Sequence, residues 1–308
     1  MNPENDIITP FFFANSDVRG ALVKMGNSFV ESLNGHSYPN AVHALLGECL
    51  AAATHMTTHL KTPARLTLQA RGDSQVNLLM AEAVLLQPAA KYAVDSQEPH
   101  QTVRAFARYD TGTAAISPAS TLAAMLGRGQ LAITLEPDEG QRYQGIVSAD
   151  EDKLETCIEA YFQQSEQLET TLRLATSGDY AVGLLVQRLP SARGNTADQS
   201  QQVWEELAIL AQSIQDAELL ELPARDILHR LFHQHDYQMG SALPLAFSCS
   251  CSQQRTGQAL LQVDAREIAQ ILQEDGEIVM DCEFCSARYR FDRAAIDQLS
   301  VNQDATRH

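Results

Sequence analysis

Four of the six cysteines in this 308-residue chain fall into two close pairs near its C-terminus. One residue separates Cys249 from Cys251, two separate Cys282 from Cys285, and thirty residues lie between the pairs. Zn²⁺ prefers four soft ligands in a tetrahedron, and two close pairs can supply them. The competing explanation, four unrelated buried thiols, would require this double pairing to arise by chance. We therefore predict that all four bind one zinc ion as thiolates.

The first pair has CxC spacing, whereas ordinary zinc ribbons use CxxC. Metal-bound thiolates are deprotonated and so nucleophilic towards oxidants, and each pair could close into a disulfide. Disulfides would eject the metal and remove its folding energy, which is about 10–16 kcal/mol in small zinc peptides. That energy rivals the stability of a typical whole domain. The residues alone nevertheless favour a static structural zinc over a switch.

The remaining residues of chemical interest predict no active site. Cys49 and Cys157 stand alone on presumed helices and are expected to be buried, inert thiols. His55 and His59 have zincin spacing but lack the glutamate of that motif, so we expect a partly exposed helix face. His233 and His235 are expected to be solvated or capping, and the motif at 127–129 to be a turn. The sequence therefore indicates a protein that is not an enzyme.

Composition limits the classes of partner. The net charge is −17, from 39 acidic and 22 basic residues, and such a surface repels phosphate backbones and anionic lipid. We therefore expect no nucleic-acid and no membrane partner. Neither a signal peptide nor a membrane span is recognisable, which favours the cytoplasm, where thiols stay reduced.

The elements that must position the cysteines belong to three regions and a tail. Residues 1–178 mix helix signals at 39–60 and 154–167 with alternating strands at 66–70 and 131–135. No long alternation of strands and helices occurs, so we predict an α+β fold rather than a doubly wound sheet.

A helical layer is expected at 179–240. After a break at 193–195, Thr196 begins a capping box, and a second helix starts at Pro223. The first helix carries apolar residues at helical spacing, and this layer has too little core to stand alone. The apolar stripe is a candidate linker or client-binding surface and comprises Val203, Trp204, Leu207, Leu210 and Ile214.

A small zinc-binding domain is expected at 241–295 and a frayed tail at 296–308. Asp264 should cap a helix that Gly276 terminates, and a strand at 277–280 should lead into the second cysteine pair. Few apolar residues are available here, so a metal would have to replace the missing core.

These motifs carry a family likeness. The CSC and CEFC pairs, with EDGEI at 274–278 before the second pair and YRF at 289–291 after it, resemble the redox-regulated thirty-three-kilodalton heat-shock chaperone family. Further similar stretches are GRGQLAIT at 127–134, GQRYQGIV at 140–147 and YFQQSEQL at 161–168. The likeness spans essentially the whole chain and departs at none of the four cysteines.

The resemblance implies an ATP-independent holdase that is inactive while reduced and zinc-bound. It also implies that oxidation pairs Cys249 with Cys251 and Cys282 with Cys285, that zinc leaves, and that the C-terminal and linker regions unfold. The exposed surface would then bind unfolding client proteins, usually as a homodimer. The fold implied is an N-terminal α/β domain, a helical linker and a small zinc domain.

Two other classes remain open at this point. The chain could be a zinc-stabilised adaptor that binds one partner and ignores oxidants. It could instead be a thiol–disulfide oxidoreductase using Cys282 and Cys285, although reductases usually place CxxC at a helix start near the N-terminus rather than in a metal cluster.

Overall fold

The computed structural model describes residues 5–14, 16–88, 98–110, 116–117, 120–190 and 197–305, with side chains left undescribed at 197–199 and from 300 onwards. Contacts divide the chain into two compact units. The larger is Met1–Leu33 with Ser37–Ser248, and the smaller is Asn34–His36 with Cys249–His308. No described helix combines the length and the apolar character needed to cross a bilayer.

A large sheet organises the larger unit. Its strands are β1 (Ile7–Phe13), β2 (Val18–Met25), β3 (Ala64–Arg71), β4 (Val76–Leu85), β5 (Gln101–Tyr109), β6 (Gln130–Pro137), β7 (Tyr143–Ser148), β8 (Thr170–Ser177), β9 (Tyr180–Arg188), β10 (Tyr237–Met239) and β11 (Leu243–Phe247). Within the described residues their order is β7-β6-β3-β4-β5-β11-β1-β2-β9-β8, with β10 also paired to β1. Only β5 and β11 pair in parallel among these strands. The mostly antiparallel sheet with separate helices confirms the predicted α+β class.

One face of the sheet packs against α2 (Asn40–Thr58), which contacts β2, β3, β4, β5, β8 and β9. Its alanines and leucines allow close approach to the strands, and Pro39 precedes it with φ −55°. Shorter helices complete this layer, namely α1 (Asn27–Leu33), α3 (Leu122–Leu126) and α4 (Leu154–Tyr161). The helix predicted to run to 167 changes to a wider π-type turn at Phe162–Glu166 and ends at Gln167, whose φ is 55°.

The opposite face carries α5 (Ala197–Gln212), α6 (Asp216–Glu221) and α7 (Ala224–Phe232). Side chains alternate along β9, so Val182, Leu184 and Val186 join the core beneath these helices, whereas Ala181 and Leu185 belong to the core around α2. The sheet is thus buried on both faces at this strand. That explains why its sequence is a nearly continuous apolar run.

Two boundaries differ from the sequence prediction. Tyr180–Arg188, assigned to the linker at 179–240, is strand β9 and pairs along the length of β2. Leu243–Phe247, assigned to the zinc domain at 241–295, is strand β11 of the large sheet. Both segments are short apolar runs without helical periodicity. Such runs are typical of strands buried in a sheet. The predicted break at 193–195 and the predicted cap Thr196 lie outside the described residues.

The smaller unit contains α8 (Gln253–Leu260), α9 (Ala265–Asp275), β12 (Glu277–Asp281), β13 (Arg288–Asp292) and α10 (Arg293–Ala305). Asp264 caps α9 by accepting from the Arg266 N–H at 2.7 Å, and Gly276 ends it with φ 79°, as predicted. Strands β12 and β13 form an antiparallel hairpin. Where the sequence indicated a frayed tail from 296, the backbone continues as α10 to Ala305.

Candidate metal centre

The first cysteine pair follows β11 directly. Cys249 and Cys251 lie in irregular backbone, and Ser252 immediately caps α8 by accepting from the Arg255 N–H at 3.2 Å. The side chain of Arg255 donates back to the Ser250 carbonyl at 2.9 Å. These two bonds fix the chain on either side of Cys251, which holds its thiol in place without regular secondary structure.

The second pair occupies the turn between β12 and β13. The Cys282 N–H donates to the Ala287 carbonyl at 2.9 Å, and the Ser286 N–H donates to the Cys282 carbonyl at 2.8 Å. Ser286 has φ 56°, in the left-handed region, and this tightens the turn. The resulting loop presents Cys282 and Cys285 on the same side, so the hairpin positions two sulfur atoms at once.

All four sulfur atoms lie within 4.8 Å of one another, as the sequence predicted. The Cys249 and Cys282 Sγ atoms are 3.7 Å apart, and those of Cys251 and Cys285 are 3.3 Å apart. A zinc ion with Zn–S bonds of about 2.3 Å requires sulfur–sulfur edges of about 3.8 Å. The donor set and its spacing therefore fit a tetrahedral thiophilic metal. The two short distances join one pair to the other and do not single out the predicted disulfide pairing.

The charge state of the cluster depends on its neighbours. Burial opposes ionisation of Cys251, but the Tyr289 hydroxyl, 3.0 Å from its Sγ, and the other thiols donate hydrogen bonds that lower the pKa of Cys251 to about 7. Burial, together with hydrogen bonds among the thiols, raises the pKa of Cys285. Four neighbouring thiolates repel one another, so their joint ionisation requires a bound cation.

Little else holds this unit together. In its described part the buried apolar side chains are Leu260, Ile268, Ile278, Phe291 and Ile296. Such a small core rarely stabilises a fold without a disulfide or a metal. The four cysteines come from the segment before α8 and from the β12–β13 turn, so a shared metal would link these two segments of the unit.

The predicted linker surface is buried rather than free. Trp204, Leu207 and Ile214 lie in the core beneath α5, α6 and α7, while Val203 and Leu210 are partly buried against it. Trp204 is 6% exposed, and a neighbour on the same helix, Ile209, is 67% exposed. The stripe therefore packs against the sheet in this structure.

The other candidate residues belong to the larger unit and are not members of the four-cysteine cluster. Cys49 and Cys157 are buried, and burial raises the pKa of each, as expected for inert thiols. His233 caps α7, as expected, and its Nδ1 lies 3.2 Å from the His229 carbonyl oxygen. The expectation of a partly exposed face at 55–59 is wrong for His55, which is 2% exposed because it packs against Gly183 of β9.

Sequence reasoning missed two polar contacts. Tyr289 was noted only for its alternation in a strand, yet its hydroxyl bonds to Cys251. Lys24, on β2, is 3% exposed, and its ammonium donates to the Leu222 carbonyl just after α6. The available signal for the second contact was a lysine that directly follows the apolar residues Ala21, Leu22 and Val23 of the strand.

Comparison with known proteins agrees with this architecture. A family model described as Hsp33 protein matches residues 6–292. Relatives named 33 kDa chaperonin are 41% identical in Shewanella frigidimarina, 40% in Hahella chejuensis and 39% in Pseudomonas fluorescens. Each alignment covers 96% of this chain, and 96%, 96% and 94% of the respective relatives.

A crystal structure supports the fold. The 33 kDa chaperonin of Thermotoga maritima superposes with a TM-score of 0.76, covering 97% of this chain and 100% of that one at 19% sequence identity. The family match over nearly the whole length, together with relatives near 40% identity, establishes the assignment. This chain belongs to the Hsp33 family of chaperones.

Proposed function

We propose that this protein is an ATP-independent holdase that oxidation activates. Its client would be any unfolding protein, and its sensor would be the zinc-bound thiolates of Cys249, Cys251, Cys282 and Cys285. The observation that carries the proposal is the gathering of four sulfur atoms within 4.8 Å in a unit with a very small apolar core. Oxidising those ligands removes the main support of that unit.

The chemistry balances with a two-electron oxidant. Two thiolates react with one hypochlorous acid to give one disulfide, chloride and hydroxide, so two such reactions consume all four ligands. Following the family resemblance, the disulfides would join Cys249 to Cys251 and Cys282 to Cys285. Disulfide sulfur is a poor zinc ligand, because metal binding requires the thiolate.

Loss of order would reach the helical layer through the chain. Cys249 follows β11 after a single residue, and β11 follows α7 and β10. Helices α5, α6 and α7 cover the apolar side chains of β1, β2 and β9, so their release would expose a large apolar surface. That surface, including Val203, Trp204, Leu207, Leu210 and Ile214, is our candidate for client binding.

The remaining features follow the family resemblance. The oxidised protein would act as a homodimer in the cytoplasm, and zinc would serve as a structural sensor rather than a catalytic metal. The net charge of −17 would help to keep client complexes soluble.

The test combines zinc release with client protection. Zinc bound to the reduced, full-length protein is measured with a chromophoric chelator before and after hypochlorite, beside light scattering of a thermally unfolding client. We expect one zinc per chain, release on oxidation, and suppression of aggregation only afterwards. Cys157→Ala is the matched control, because this thiol is not a member of the cluster. The substitution should leave the zinc content and the activation by oxidant unchanged.

Two results would contradict the proposal. Zinc that stays bound under hypochlorite would indicate a zinc-stabilised adaptor. Zinc that leaves without any gain in client protection would separate the metal site from chaperone activity. Peptide mapping of the oxidised protein then determines which cysteines are paired.

A further inference from the structure

A hydroxyl group from strand β13 reaches the cysteine cluster. Tyr289 lies on β13, and its hydroxyl donates a hydrogen bond to the Cys251 Sγ atom at 3.0 Å. Its ring packs against the small apolar core of this unit and pairs with Met280 across the hairpin. The β12–β13 hairpin therefore holds the donor, whereas the segment before α8 carries the sulfur atom that accepts.

This bond acts on the orientation of the sulfur atom. Cys251 lies outside regular secondary structure, and the bonds made by Ser252 and Arg255 fix its backbone, whereas the Tyr289 hydroxyl acts on Sγ itself. A side chain that bonds to a metal ligand orients that ligand, and loss of such a partner typically weakens metal binding by about 10–100-fold. The hydroxyl thus prepares Cys251 to bind a metal together with the other three thiolates.

The same bond acts on the reactivity of the sulfur atom. A hydrogen bond to a thiolate is charge-assisted, and it engages a lone pair that would otherwise attack an electrophile. The nucleophilicity of a thiolate falls with its basicity, with a Brønsted coefficient of about 0.4–0.5. A charge-assisted hydrogen bond of ordinary strength therefore slows attack by the sulfur about three- to tenfold.

We propose that Tyr289 is a positioning residue of the metal site, which orients the Cys251 thiolate for zinc and restrains the reaction of that thiolate with oxidants. Its regulatory meaning rests on the proposed redox function. The hydroxyl does not itself react; it holds the sulfur atom and slows the attack that begins oxidation.

The restrained step is defined by its chemistry with hydrogen peroxide. The Cys251 thiolate attacks one peroxide oxygen, the O–O bond breaks, and a sulfenic acid and hydroxide form. A second thiolate, that of Cys249 in the proposed pairing, attacks the sulfenic sulfur, so that the disulfide forms and a second hydroxide leaves. The two thiolates are oxidised and the peroxide is reduced. Tyr289 slows the first of these steps.

The test uses the reduced, zinc-loaded full chain and Tyr289→Phe, which removes the hydroxyl and keeps the ring. Iodoacetamide is added without any oxidant, and peptide mapping by mass spectrometry gives the initial alkylation rate of each cysteine. Cys282 is the reference within the same molecule, because the Tyr289 hydroxyl bonds to Cys251 instead. We expect the rate at Cys251 relative to Cys282 to rise about three- to tenfold in the variant.

Zinc affinity is the second measurement, made by competition with a chromophoric chelator. Tyr289→Phe should weaken it about tenfold or more. Tyr180→Phe, which removes a phenol hydroxyl from an exposed position of the larger unit, is the matched control and should change neither result. Ile278→Val loosens the small core but keeps the hydroxyl, so it should leave the ratio of Cys251 to Cys282 unchanged.

The proposal is overturned if Tyr289→Phe leaves the ratio of Cys251 to Cys282 unchanged, or if it speeds both cysteines equally, as a loss of packing alone would. It is also overturned if the variant binds zinc as tightly as wild type. Both measurements are made without oxidant, so they decide the role of Tyr289 whether or not oxidation releases zinc. A wild type that keeps its zinc under hypochlorite would instead contradict the proposed function.

Discussion

The two units of this protein are stabilised by different means. The larger unit buries apolar side chains on both faces of an extensive sheet, whereas the smaller unit has five buried apolar side chains in its described part and four clustered thiols. Apolar burial does not respond to oxidants, but thiolate ligation does. Under the proposed redox mechanism, oxidation would therefore act on the smaller unit, whereas the apolar cores of the larger unit would not react with the oxidant.

The largest expected effect comes from removing a ligand. Cys251→Ser should abolish stoichiometric zinc binding and unfold the smaller unit, because the proposed zinc ion would replace most of the core that this unit lacks. The sheet of the larger unit and the core around α2 should remain folded, whereas α5, α6 and α7 should loosen, as the proposed activation requires. Limited proteolysis should therefore cleave within these helices and after residue 248 and leave the sheet resistant. A variant that keeps one zinc per chain, or one that loses the larger unit as well, would contradict the distinction between the units.

A smaller effect is expected beneath the helical layer. Trp204→Ala should lower the free energy of unfolding by about 3–5 kcal/mol, as truncation of a buried aromatic side chain typically does. It should also loosen α5 without any oxidant. Urea unfolding followed by circular dichroism measures the stability, and binding of an apolar dye measures the exposed surface. Ile209→Ala, on the exposed side of the same helix, should change stability by less than about 0.5 kcal/mol. Equal effects of the two changes would show that the stripe is not packed.

The third effect concerns acid and the larger unit. Burial lowers the pKa of His55 from 6.5 to about 4; burial and then Arg19 and His55 lower that of His59 to about 3. As the pH falls below 6.5, both histidines become protonated in the unfolded state before they do so in the folded state. The stability that the two neutral histidines contribute is therefore complete above pH 6.5 and decreases towards pH 4. At about pH 5 each histidine should have lowered the free energy of unfolding by about 2 kcal/mol relative to its value above pH 6.5.

This pH dependence is measured by urea unfolding at about pH 7 and pH 5. Trp204 is the only tryptophan, so its fluorescence reports on the larger unit alone. His55→Leu should remove the contribution of His55 to this dependence and leave that of His59, whereas His233→Gln, at an exposed position, should leave the dependence unchanged. An unchanged pH dependence in His55→Leu would refute the role of this histidine.

Sequence reasoning found the parts that depend on local signals. The four cysteines, the Asp264 cap, the Gly276 terminus and helix α2 follow from spacing, capping chemistry and periodicity, and the structure contains each of them. It assigned β9 to the linker and β11 to the zinc domain. The pairing of strands that are distant in sequence produces no recognisable pattern within either segment. The bond between Tyr289 and Cys251 likewise depends on two segments that meet only in the fold.

Strand β11 also determines when the large sheet can be completed. In the described chain β5 reaches β1 only through β11, which pairs in parallel with the first and antiparallel with the second. During synthesis, the strands on either side of this gap exist long before residues 243–247 leave the ribosome. The growing chain therefore carries two open sheet edges until residues 243–247 have been made, and the strand that closes them is followed after one residue by the first cysteine pair.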